Sequence, residues 1–161
     1  MRRLVPTLLL SLAAALPAAA QQSHPDFSGD WTLDASHSEL PPMAAPKSLT
    51  MHVAQTDRSI TVQRAMESDQ TGPMNQTMSF ALDTSTSKNT MSAQGMTLEM
   101  NSKTAWTGDT LVVNTTTDAG GQTLTQIDHW SLSADKKTLF VATDVNVAGQ
   151  SASYKIAFAK K

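Results

Sequence analysis

Asp26-Phe27-Ser28-Gly29-Asp30-Trp31-Thr32-Leu33 is the stretch on which the reading of this chain turns. It follows a polar leader and holds one of only three tryptophans in 161 residues. A series of alternating apolar and polar positions begins here, and a period of two puts Trp31 and Leu33 on one face of a strand. We read Trp31 as a plug that closes one end of a β-barrel, with the strands downstream wound around it.

Upstream, Met1-Arg2-Arg3 is basic, residues 4–16 are apolar apart from Pro6, Thr7 and Ser11, and Pro17 breaks the run. Ala18-Ala19-Ala20 then offers the small residues that a signal peptidase reads. This predicts a secretory signal peptide over residues 1–20 and a single domain over residues 21–161. The alternative is a membrane anchor, but the run is shorter than the roughly 20 residues a spanning helix needs. There is no cysteine, so neither a lipoprotein anchor nor a disulfide is available and a hydrophobic core must hold the fold. The expected location is the periplasm or the medium, with no stable membrane anchor after cleavage. The formal charge of −2 becomes more negative once Arg2 and Arg3 are removed, which leaves no basic field for nucleic acid.

Downstream, period-two runs recur at short intervals. Leu49, Met51 and Val53 share a face, as do Ile60, Val62, Arg64 and Met66, and then Met78, Phe80 and Leu82. A short strand around residues 90–93 is followed by a turn at Gln94-Gly95. Further runs carry Met96, Leu98, Met100 and Trp106; Leu111 and Val113; Leu124, Trp130 and Leu132; Leu139, Val141, Val145 and Val147; and Tyr154, Ile156 and Phe158. Polar links fall at Asp57-Arg58, residues 68–73 and residues 84–87, and Asp118-Ala119-Gly120-Gly121 is a hairpin signal. Residues 34–47 carry three prolines and read as a long first loop flanking a barrel mouth, with a helical turn capped by Asp34 or Ser36. The pattern predicts an all-β, antiparallel, up-and-down barrel of about 8–10 strands, since short links pair neighbours antiparallel and closure removes free edges. A two-sheet sandwich is the alternative.

Phe27-x-Gly29-x-Trp31 at the head of such a series resembles the first strand of the calycins, the superfamily of lipocalins and fatty-acid-binding proteins. Residues 26–34 and the later Trp130-Ser131-Leu132-Ser133-Ala134-Asp135-Lys136-Lys137-Thr138-Leu139 also resemble small secreted bacterial lipocalin-like proteins, a mostly uncharacterised group. The resemblance implies a barrel with an interior pocket. Typical lipocalins lay an arginine from the last strand over the tryptophan, whereas here that strand offers only Lys155 and, at its end, Lys160 and Lys161. Lipocalin cysteines are absent, and a strand count nearer ten than eight points to the fatty-acid-binding or another calycin arrangement. No ligand-contacting residue is transferred by the match.

Parity leaves three polar residues on the apolar face: Arg64, Gln126 and Asp128. A buried unpaired charge is costly. Arg64 is therefore expected either to bind the carboxylate or phosphate end of an amphipathic ligand, with Gln126 and Asp128 completing the polar patch, or to sit at a strand end or pair with Asp128. The expected ligand-binding set is Arg64, Met66, Met78, Phe80, Met100, Gln126, Asp128 and Tyr154. Met51, Met66, Met78, Met96 and Met100 fit a pliable pocket for a small apolar molecule, plain core filling, or thioether coordination of Cu(I). The methionines are dispersed and His24, His37, His52 and His129 are scattered, so no metal or cofactor is expected. No nucleophile elbow, carboxylate pair or phosphate loop is present, and the chain does not read as an enzyme. Three functional readings remain: a carrier of a small apolar or amphipathic ligand; a protein-binding barrel that acts through its loops as an inhibitor or envelope partner; and a barrel enzyme built on Arg64, Asp128 or His129.

Overall fold

The computed structural model describes residues 24–40, 45–69, 72–93 and 96–161. The predicted signal peptide and the predicted Gln94-Gly95 turn lie outside the described residues. Ten strands follow one another: β1 (Gly29–Glu39), β2 (Ser48–Gln55), β3 (Ser59–Ser68), β4 (Gly72–Ala81), β5 (Ser87–Ala93), β6 (Met96–Thr107), β7 (Thr110–Ala119), β8 (Gln122–Leu132), β9 (Thr138–Val147) and β10 (Gln150–Lys160). They form one antiparallel sheet in the order β4-β3-β2-β1-β10-β9-β8-β7-β6-β5. Each strand pairs with its chain neighbour except at β4 and β5, and β1 pairs with β10, so the sheet rolls into a nearly closed up-and-down barrel. Among the described residues no helix is long and apolar enough to cross a membrane.

The turns follow from their residues. Gly120 and Gly121 alone link β7 to β8, at φ of 60° and 86°, the left-handed conformation a two-residue hairpin requires. Ala148 and Gly149 link β9 to β10 in the same way, at φ of 51° and 84°. The inner positions of β2, β3, β7 and β9 supply Val53, Ile60, Val62, Leu111, Val113 and Leu139 to the core, each at most 1% exposed.

One end of the barrel is plugged by the segment that opens the fold. Phe27 and Trp31 are fully enclosed. Trp31 Nε1 donates to the Phe27 carbonyl at 2.9 Å. Gln55, at the end of β2, clamps the arm: its carboxamide oxygen accepts from Phe27 N at 3.0 Å and its nitrogen donates to Pro25 O at 2.9 Å. Phe27 stacks on Trp106 and meets Trp130 edge-on, both at 5.9 Å between ring centres, and His24 stacks on Trp106 at 4.2 Å. The Gly-x-Trp spacing has a physical reason. Lys160 Nζ lies 5.3 Å from the centre of the Trp31 ring. Gly29 sits at φ 139°, and a Cβ there would stand 3.0 Å from Lys160 Cε.

The structure redraws two sequence-based expectations. Residues 34–47 do not form a loop throughout, and no capped helical turn exists at Asp34 or Ser36, because β1 continues to Glu39. An irregularity interrupts its pairing with β10 between Asp34 and Glu39. The polar side chains that suggested a loop stitch it: Ser38 Oγ donates to Asp34 O at 2.6 Å and accepts from Ala157 N at 2.9 Å. Gly72-Pro73, expected to end a turn, instead begins β4, with Pro73 opposite Glu67. Proline is tolerated there because β4 has a backbone partner on one side only.

Where β4 meets β5 there is no backbone ladder. Side chains bridge the seam. Asn89 accepts from Ser79 N at 2.8 Å and donates to Ser79 O at 3.0 Å, Ser87 Oγ accepts from Ala81 N at 2.7 Å, and Thr104 donates to the Ala81 carbonyl.

Candidate ligand-binding cavity

The interior changes character along its axis. Near the plug it is filled by branched and aromatic side chains. Beyond them the inner positions hold Ser102, Thr115, Thr117 and Thr143, all buried and all small, together with flexible methionines. Small side chains on several walls cannot meet across a ten-strand barrel, and a cavity of about 360 Å³ remains. That lies within the ~300–1,000 Å³ usual for ligand pockets. It runs from Trp130 and Phe158 at the plug to Pro46, Met66, Met91, Leu98 and Leu124 toward the other end.

All eight residues expected at a binding site line this cavity: Arg64 and Met66 from β3, Met78 and Phe80 from β4, Met100 from β6, Gln126 and Asp128 from β8, and Tyr154 from β10. Trp31 is not among them, since it belongs to the plug. Met51 also lines the cavity. Gln76, Thr143 and Trp130 add to the polar lining, beside Ser102, Thr115 and Thr117, and none of the three was singled out for that role. Gln76 shares parity with Met78 and Phe80, and Thr143 with Leu139 and Val141, so period two was the signal that would have found them.

The polar groups form two separate sets. On the β3–β4 wall, an Arg64 Nη donates to Gln76 Oε1 at 2.6 Å, and the Gln76 amide approaches Met100 Sδ at 4.0 Å. On the β8–β9 wall, Gln126 Nε2 donates to both Asp128 oxygens, at 3.0 and 2.8 Å, and Thr143 Oγ1 donates to Asp128 Oδ1 at 2.6 Å. Arg64 and Asp128 form no ion pair with each other. Both are half-buried. Burial pushes the Asp128 carboxyl above the ordinary carboxylate range, against the opposing pull of the Thr143 and Gln126 hydrogen bonds and the Arg64 charge. Burial lowers Arg64, with Asp128 and Tyr154 opposing it. Burial and the Asp128 charge raise Tyr154.

Among the described residues two buried donors lack a partner, Arg64 Nε and Trp130 Nε1, and both residues line the cavity. A buried unsatisfied donor costs roughly 1–3 kcal/mol. The orphans are both N–H groups, so what would satisfy them is an acceptor.

His52 lies outside the barrel, where its Nδ1 meets Asp30 Oδ1 at 2.7 Å, and His129 and Asp128 alternate across the β8 strand and form no dyad. Among the described residues no group of three or more His, Asp or Glu could hold a metal ion.

No protein-family profile matches the chain, and no curated protein does. Solved structures do. A secretory abundant heat soluble (SAHS) protein of Ramazzottius varieornatus superposes with a TM-score of 0.59 at 12% identity, covering 88% of this chain and 100% of its own. The zebrafish ileal bile acid-binding protein, solved with cholic acid, gives 0.57 at 13% identity, covering 84% of this chain and 98% of its own. A second protein of the heat-soluble group, number 4 of the same organism, gives 0.56 at 14% identity, covering 88% and 99%. The fold is thus the calycin, lipocalin-like β-barrel, in its ten-strand form.

Proposed function

We propose that this chain is an exported binding protein, periplasmic or secreted, that takes a small apolar or amphipathic molecule into the barrel interior with an acceptor-bearing head toward Arg64. The observation that carries this reading is that Arg64 and Trp130, each with a buried donor left unpartnered, Nε and Nε1, line a cavity that combines a methionine-rich apolar surface with a few polar side chains. Arg64 and Trp130 supply donors for the head, Gln126, Asp128 and Tyr154 border it, and Met66, Met78, Phe80 and Met100 pack the apolar body. Methionine suits that task because it adapts to ligands of different outline. The bound cholic acid of the zebrafish neighbour is an amphipathic acid of the same chemical kind. The walls hold the groups needed to bind and orient a ligand, so the reading is a carrier. Export rests on the basic, apolar and small-residue pattern of residues 1–20.

The test is a fluorescence titration of residues 21–161 with anilinonaphthalene sulfonate, followed by displacement with dodecanoate and with dodecanol. Arg64→Met removes a charge-assisted bond worth about 1.5–3 kcal/mol and should weaken dodecanoate roughly 10- to 100-fold while changing dodecanol less than about threefold. Equal affinity of the variant and the parent for dodecanoate would overturn the reading.

A further inference from the structure

The cavity wall is almost free of ionisable groups. The inner positions of β7 are Leu111, Val113, Thr115 and Thr117, and those of β9 are Leu139, Val141, Thr143, Val145 and Val147. The titratable side chains among the cavity residues are Arg64 from β3, Asp128 from β8 and Tyr154 from β10. Asp128 has Gln126 beside it on its own strand and Thr143 opposite on β9. Val113 lies opposite on β7, and His129 follows on the outer face of β8. Among the described residues the cavity thus holds one cation and one carboxyl on different walls, and each is hydrogen-bonded to a neutral amide of its own wall instead of to the other.

That arrangement sets the charge balance of binding. With Asp128 ionised, Arg64 and Asp128 cancel at range, and an incoming anion adds a negative charge that nothing in the cavity compensates. With Asp128 neutral, Arg64 and the anion compensate each other. We infer that the cavity takes up an anionic amphipathic ligand together with one proton, and that Asp128 carries the proton. The ligand class this selects is a weak or strong organic acid, bound more tightly as the pH falls, while neutral amphiphiles bind without proton exchange. Burial already biases Asp128 toward its neutral form, so the anion completes a shift the fold has begun. The step is a simple association: the ligand anion and one solvent proton enter, and no covalent bond of the ligand forms or breaks. The inference rests on the interior-binding reading given above.

Anilinonaphthalene sulfonate is the probe, because its sulfonate stays ionised across the range and any proton taken up belongs to the protein. Calorimetric titration at one pH in two buffers of different ionisation enthalpy counts the protons directly. The full mature chain should take up close to one proton per probe where Asp128 is ionised in the free protein. Its affinity should rise by up to about tenfold per pH unit as the pH falls through that region. Asp128→Asn should bind without proton uptake, with a flat pH profile and, at the alkaline end, more tightly than the parent. His129→Gln should leave the uptake unchanged, which separates Asp128 from the histidine beside it. The buffer comparison on the unaltered protein needs no variant to fold. Tight binding with no proton uptake between about pH 5 and 8 would overturn the proton linkage and leave the carrier reading standing. Absence of probe binding, or binding indifferent to Arg64→Met, would overturn both.

Discussion

Phe27→Ala tests whether the arm ahead of β1 is part of the core. The Phe27 side chain is fully enclosed and wedged between Trp106 and Trp130. Truncating a buried phenylalanine costs about 3–5 kcal/mol through lost transfer energy and the cavity left behind. Here the backbone anchors remain, because Gln55 holds Phe27 N and Trp31 Nε1 holds Phe27 O. They limit collapse of the arm without refilling the space, so we place the loss at about 3–4 kcal/mol. For a domain of this size that corresponds to a fall in Tm of roughly 10–15 °C, and it removes a large part of a typical stability of about 5–15 kcal/mol. Urea denaturation followed by far-ultraviolet circular dichroism and by tryptophan emission measures it, and both probes should report one transition with an unchanged slope. His24→Ala is the control: its ring also stacks on Trp106 but is exposed, and its loss should stay below about 1 kcal/mol. A Phe27→Ala loss as small as that of His24→Ala would refute the claim that the arm closes the barrel.

Gly29→Ala should destabilise by about 1–3 kcal/mol in the same assay, since the backbone sits at positive φ and a Cβ would crowd the Lys160 side chain. Ala148→Gly should stabilise by about 0.5–1 kcal/mol, because alanine at φ 51° carries left-handed strain that glycine does not. Stability should also depend on pH through Asp128. Its folded pKa is raised, so the folded chain holds a proton that the unfolded chain has released, and stability falls as pH rises from the ordinary carboxylate value to the raised one. Asp128→Asn should flatten that part of a urea-midpoint profile. In the opposite sense, Asp34, Asp83 and Asp135 are lowered by hydrogen bonds from neighbouring serines, and any stability they lend is lost only as pH falls below the usual carboxylate range.

The strand series was legible because its side chains alternate with a period that only strands have, and because Gly120-Gly121 and Ala148-Gly149 mark tight hairpins. The burial of Trp31 was legible from its place at the head of the series. Its lysine cover was not, because Lys160 reaches the ring only once β10 lies beside β1. The first strand was read too short: Asp34, Ser36 and Ser38 look like loop residues, yet Ser38 stands in for missing backbone bonds. Arg64, Gln126 and Asp128 stood out by parity, but Gln76, Thr143 and Thr115 were not singled out although parity placed them inward. Trp130 was read as core, and nothing in the sequence says that its indole nitrogen lacks a partner. Nor does a list of inward residues give the cavity, whose size depends on barrel radius as much as on side-chain volume. The β4–β5 seam was equally hidden, since its polar links are chosen by three-dimensional closure.

That seam also dictates how the chain could be rewired. Where β1 meets β10 the two ends of the sheet's sequence are already neighbours, with Trp31 opposite Lys160 and Lys161 N bonded to Asp30 O at 2.9 Å. The backbone discontinuity lies instead in mid-chain, beside the 82–86 connection, where Thr84 holds a left-handed φ of 66° that a β-branched residue adopts with difficulty. A circular permutant that joins the present ends through a flexible linker and opens the chain at Thr84 would keep every ladder of the sheet. The same ten strands would then run in sequence from one side of the seam to the other, as a single ribbon whose first and last strands are the two that side chains bridge.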